Sequence, residues 1–231
     1  MTHGKKFRNV SMNTTTMSQD GPSASPRAFL AGASLAGAEG FAVAFAAMGM
    51  LMRVLSVNIT DPNLILAVGA FLYGTAGALG AAYLASATRW RAYTVLFALS
   101  GILGCGGGYL LTSLFLTARV NPESAVRAAV EGIAIIQHAI IGGLLGLFLG
   151  IVVGKPRATL WLILAGALGF GLGFLMQTSL NDLLAVPLSD AVERFTESGT
   201  VDLIVASLLW GVCGALGGLM GGGAIGYALE R

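Results

Sequence analysis

The chain has 231 residues, of which 55% are hydrophobic and only 10% charged, with 34 glycines and a formal net charge of +2. So few polar groups cannot clothe a soluble domain, and the mean hydropathy of +0.80 makes the bilayer the expected solvent. A spanning helix takes about 20 apolar residues, so six or seven crossings with short loops leave no room for a soluble catalytic domain beside them.

Residues 1–27 form a polar arm rich in Ser, Thr, Met and Asn, carrying Lys5, Lys6 and Arg8. The arm has no apolar core of its own, so it reads as a disordered basic anchor rather than a cleavable signal. Six apolar runs follow, from Ala28 to Met52, Leu64 to Thr88, Ala92 to Ala118, Gly132 to Gly154, Ala158 to Leu180 and Leu203 to Leu229. Backbone groups in lipid must find internal partners, so these runs are expected to be helices despite their glycines. Residues 28–231 then make a single all-α transmembrane domain of three hairpins, about 28–88, 92–154 and 158–229. The stretch from Asn181 to Thr200 mixes Leu183, Leu184, Val186 and Phe195 with charges, the pattern of an amphipathic segment in the interface.

Basic residues orient the bundle. With the N-terminus inside, nine of the 13 Lys and Arg residues fall on the cytoplasmic side, and only Arg53, Arg119, Arg127 and Arg194 lie opposite. Both termini are therefore expected in the cytoplasm, and the membrane is expected to be a bacterial inner membrane. Trp90, Tyr93, Trp161 and Tyr227 sit near the inner ends as interfacial anchors.

The glycines recur. A shift of 65 residues superposes Gly101, Gly104, Gly106 and Gly108 on Gly166, Gly169, Gly171 and Gly173, and it carries Pro122 onto Pro187. In the even helices Gly74, Gly77 and Gly80 match Gly211, Gly214 and Gly217, with a weaker version at Gly143 and Gly146 and a further glycine at Gly150. The first hairpin offers Ala33, Ala36, Ala38 and Gly40 in the same places. A threefold helical-hairpin repeat is the expectation. Small residues three or four apart let backbones approach, so these glycines are assigned to helix packing rather than to phosphate binding. The mitochondrial carriers also have six helices in three hairpins, but their proline, acid and base spacing is not matched by Pro122 to Arg127, and that resemblance fails.

Three polar residues lie deep in apolar runs. Glu39 stands well inside the first, where a lipid-exposed charge costs at least about 2.5 kcal/mol. Gln137 and His138 stand halfway along the fourth. Glu39 and His138 lie at similar depths and are candidate midplane proton or solute groups, with Gln137 beside them. His138 is also the one residue able to serve as an axial tetrapyrrole ligand, a minor alternative to having no cofactor. Arg53, Gln177, Asn181 and Asp202 fall at helix ends, where snorkelling accounts for them. Cys105 and Cys213 read as small packing residues. No nucleophile and base share a segment and no metal-ligand spacing appears, so no enzymatic chemistry, metal or nucleic-acid partner is expected. Two functions remain. One is a small transporter or channel for a proton, cation or solute; the other is a non-catalytic subunit of a larger membrane complex, or a homo-oligomer, assembled through glycine faces.

Overall fold

The computed structural model describes residues 26–88, 90–116, 127–192 and 198–230, and the N-terminal arm up to residue 25 lies outside that description. Among the described residues all regular structure is helical. It comprises α1 (Pro26–Asn58), α2 (Pro62–Ala87), α3 (Thr94–Gly101), α4 (Gly108–Phe115), α5 (Arg127–Val153), α6 (Pro156–Val192) and α7 (Ser198–Glu230), with a 3-10 turn, Arg91–Tyr93, leading into α3 and one π-helical turn, Ile102–Gly107, joining α3 to α4. Six spans are long and apolar enough to cross a membrane, α3, the π turn and α4 together making the third. Six such spans are compatible with a multi-pass helical membrane protein.

Local chemistry sets the helix ends. Asp61 caps α2, its carboxylate accepting from the Asn63 amide at 2.8 Å, and Pro62 occupies the first turn, where no donor is needed. The α5–α6 connection turns on Gly154, whose φ of 73° is left-handed backbone that a side chain would strain. Its amide closes the last turn of α5 on the Gly150 carbonyl at 3.0 Å. Inside the spans, hydroxyls return to their own helix: Thr75 bonds the Phe71 carbonyl at 2.8 Å and Ser100 the Leu96 carbonyl at 2.9 Å, so neither is left unsatisfied in lipid.

The six spans close into a ring in chain order. Each packs against its neighbours in sequence, and α1 meets α7 to complete the circle. Three of these contacts join successive hairpins, and each is centred on a reciprocal pair of glycines: Gly77 with Gly101, Gly142 with Gly166, and Gly37 with Gly218. A Cβ on any of the six would run into the partner's carbonyl oxygen. The helices therefore touch backbone to backbone, gaining dispersion and Cα–H···O contacts that lipid tails do not replace.

Glycines also serve the contacts within hairpins. Gly80 accommodates the Phe41 ring, Gly104 and Gly108 lie on Leu145 and Ile141 of α5, and Gly169 and Gly173 lie on α7 at Gly217 and Cys213. Between hairpins, Gly146 and Gly150 of α5 meet Leu162 and Thr159 of α6, and Gly214 of α7 meets Phe41 of α1. Gly74, Gly143 and Gly211 are looser, with only ordinary van der Waals neighbours. The π turn buries three consecutive small residues, Gly104, Cys105 and Gly106. Its wider winding turns them toward both α2 and α5, where Gly106 faces Ala70 and Gly74.

Aromatic side chains fill the centre of the ring. Phe41, Phe45 and Phe170 are almost wholly buried, and Phe45 and Phe170 lie 5.3 Å apart between ring centroids. Apolar side chains such as Phe71, 70% exposed, and Val95, 71% exposed, point outward, as residues that face lipid do. Helix α6 continues past the fifth span without a break, through Pro187 to Val192. The first part of the expected interfacial segment is therefore an extension of that helix, and residues 193–197 lie outside the described part of the chain.

Candidate functional site

Two polar features meet near the middle of the bundle. The first is a buried pair. Tyr73 of α2 and His138 of α5, 2% and 4% exposed, are joined by a 2.8 Å hydrogen bond between the hydroxyl and Nε2. His138 Nδ1 lies 2.7 Å from the Ala134 carbonyl one turn back. A carbonyl oxygen only accepts, so Nδ1 carries hydrogen; in the neutral imidazole Nε2 then accepts from the tyrosine. Both ring nitrogens are engaged, and axial ligation of a tetrapyrrole by His138 would require breaking one of these bonds. Gln137 is also buried and donates through Nε2 to Ser113 Oγ on α4 at 3.1 Å.

Rings hold the pair in place. His138 stacks on Phe174 at 3.9 Å with planes 14° apart, and Tyr73 stacks on Tyr109 at 4.5 Å. Trp210 of α7 lies edge-on to Tyr73 at 5.8 Å and 5.7 Å from His138. Such offset and T-shaped contacts add about 0.5–1.5 kcal/mol each beyond burial.

The second feature is a vestibule, a cavity of about 500 Å³ at the end of the bundle where α1 and α6 finish and α5 and α7 begin. Its polar lining is Arg53 from α1, Glu131 from α5, Gln177, Thr178, Asn181 and Asp182 from α6, and Asp202 from α7. Arg53 and Asp202 form a 2.7 Å ion pair that ties α1 to α7 across the mouth. Deeper in, Val205, Ala206, Leu209 and Trp210 replace the charges. Trp210 stands eight residues beyond Asp202, about 12 Å along the helix, and is both the inner wall of the cavity and a neighbour of the Tyr73–His138 pair. Gln177 contributes a buried Oε1 with no hydrogen-bond donor, a group that costs about 1–3 kcal/mol while unsatisfied.

The deep acid lies elsewhere. Glu39 is exposed on the flank of α1, where Oε2 accepts from the Tyr83 hydroxyl of α2 at 2.9 Å. His138 has its own partners in Tyr73 and Ala134, so Glu39 and His138 share no hydrogen-bond partner. Sequence reasoning missed Tyr73, Phe174 and Trp210, and it treated Arg53, Gln177, Asn181 and Asp202 as separate helix-end residues, whereas the structure gathers these four around one cavity. One signal was available: Tyr73 and His138 are 65 residues apart, the same shift that superposes the glycines of the third and fifth spans. Among the described residues no three His, Cys, Asp or Glu side chains are grouped as metal ligands. Comparison with protein-family models, with curated proteins and with solved structures returns no match.

Proposed function

We propose that the protein is a small transporter or channel for a proton, cation or small solute, built from three related hairpins with both termini in the cytoplasm. The observation that carries this reading is the polar cavity that runs from one end of the ring to Trp210 and there meets a buried hydrogen-bonded pair. Polar groups this deep are costly in a membrane and mark solute pathways. Three carboxylates stand in the lining against one guanidinium, which favours cations over anions at the mouth. In this reading Trp210 closes the inner end, and Tyr73, His138 and Gln137 lie on the pathway beyond it. Glu39, on the outer flank, is not on that path.

The repeat gains support from contacts. Gly77 against Gly101 and Gly142 against Gly166 are the same contact moved by 65 residues in both helices. Gly37 against Gly218 takes that place in the remaining interface. This registers the first hairpin through Gly37, one helical turn later than an alignment that sets Ala33 against Gly101. Internal repeats around a midplane site are a common transporter plan. Purified protein in liposomes tests the function: cation or solute flux that falls at least tenfold in His138→Ala and changes in Trp210→Ala is expected, and absence of flux across protons, metal cations and small organic solutes would refute it.

A second reading, a non-catalytic subunit of a membrane complex, is favoured by Glu39 itself. A carboxyl on the outer flank of a span suits a surface covered by another helix. Pull-down from membranes with a fixed partner that is lost in Glu39→Ala, together with no flux, would select it.

A further inference from the structure

Two cavities at the opposite end of the bundle share a boundary and differ in chemistry. One, about 530 Å³, lies over the α5–α6 turn and is lined by Gly154, Lys155, Pro156, Arg157, Trp161 and Tyr227. The other, about 450 Å³, is an apolar groove between α6 and α7 that begins at the same Trp161 and Tyr227. Its walls repeat at helical spacing. Trp161, Leu164 and Leu168 come from α6, Met220 and Tyr227 from α7, and Ala165, Gly223 and Ala224 form a small-residue floor. From Trp161 to Leu168 the groove descends about 10 Å into the span. Trp161 and Tyr227 meet edge to face at 6.2 Å at the junction.

We infer that this composite site binds an anionic phospholipid, its phosphate against Lys155 and Arg157 and one acyl chain in the α6–α7 groove. Both cations are exposed beside the first turn of a spanning helix, the level at which lipid phosphates lie, and aromatic side chains with one wet and one apolar end sit at the same level. The charged part matches the headgroup and the apolar part matches the chain, in the order and direction in which a lipid presents them. This is independent of transport: it concerns the far end of the bundle and uses none of the vestibule residues.

Native mass spectrometry of the detergent-purified chain tests it, with phosphatidylglycerol competing against phosphatidylcholine of identical acyl chains. A preference of about tenfold for the anionic lipid is expected from two interfacial cations. Lys155→Gln with Arg157→Gln should bring the two lipids near parity, and Arg91→Gln, a cation elsewhere at the same end, should leave the preference intact. Ala224→Phe, which fills the groove, should lower retention of both lipids. Equal retention by the unaltered protein, a preference that survives the double substitution, an equal fall in Arg91→Gln, or undiminished binding in Ala224→Phe would each overturn the site. So would competition by free glycerol phosphate as strong as that by the lipid, since the groove would then contribute nothing.

Discussion

The Tyr73 hydroxyl and His138 Nε2 meet at 2.8 Å between two non-adjacent hairpin helices, α2 and α5, inside a closed ring. Replacing Tyr73 by Phe removes the donor and leaves a buried imidazole nitrogen without a partner, which costs about 1–3 kcal/mol. His138→Ala adds the loss of the Phe174 stack and should destabilise further. The two changes should not add: the double variant is expected to be less destabilised than the sum of the singles, because each removes the same bond. Thermal unfolding of the four proteins in one detergent measures this, and strict additivity would contradict the bond.

The reciprocal glycine pairs predict a position-dependent response to small substitutions. Gly218→Val places its side chain against the Gly37 backbone, where neither helix can yield without separating, and a loss of about 3 kcal/mol is expected. Gly142→Val should act alike at α5–α6. Gly32→Ala is the control, because a methyl there meets nothing within 4 Å. Cysteine cross-linking between α1 and α7 should be lost in Gly218→Val and kept in Gly32→Ala.

What the sequence makes legible follows from which physics is local. The six spans are visible because apolar length is a property of each segment alone, and the boundaries from Pro62 to Ala87 or from Pro156 onward fall where prolines and polar residues stop an apolar run. Glycine spacing also marks helix faces, yet Gly37, Gly142 and Gly218, three of the six glycines whose added Cβ would strike a partner glycine's carbonyl oxygen, fall outside the aligned patterns. Their role depends on the rotation of two helices about each other, which neither helix encodes alone. The vestibule was hidden for the same reason. Arg53 and Asp202 are 149 residues apart, and only ring closure by α1 and α7 makes them neighbours. Glu39 looked central by depth, but depth does not say which way a residue faces.

The ion pair at the vestibule mouth should matter more for selection than for stability. Arg53 and Asp202 are each about half exposed, at 50% and 56%, so Asp202→Asn is expected to change stability by less than about 1 kcal/mol. It removes one of three carboxylates and leaves the guanidinium without this partner, shifting the mouth toward anions. Reversal potentials in asymmetric salt should therefore move toward the anion value in Asp202→Asn and toward the cation value in Arg53→Gln. Identical potentials in both variants would show that the vestibule is not on the conduction path.

Glu39 separates the two functional readings most sharply, because its position predicts opposite outcomes. Its hydrogen bond to Tyr83 lies on the exposed flank of α1 and α2, away from the vestibule and from His138. If the pathway runs through the ring, Glu39→Gln keeps an acceptor for Tyr83 and should leave flux within about twofold of the unaltered protein, while Glu39→Leu should favour membrane insertion of the first span by about 2–3 kcal/mol. If a partner helix covers this flank, the same Glu39→Leu change should release the partner even as insertion improves. Measuring insertion, flux and co-purification on one set of variants assigns the carboxyl: improved insertion with intact flux and no lost partner places it in lipid, whereas a tenfold fall in flux with Glu39→Gln would move the pathway to the outer face of α1 and displace the vestibule from the proposed mechanism.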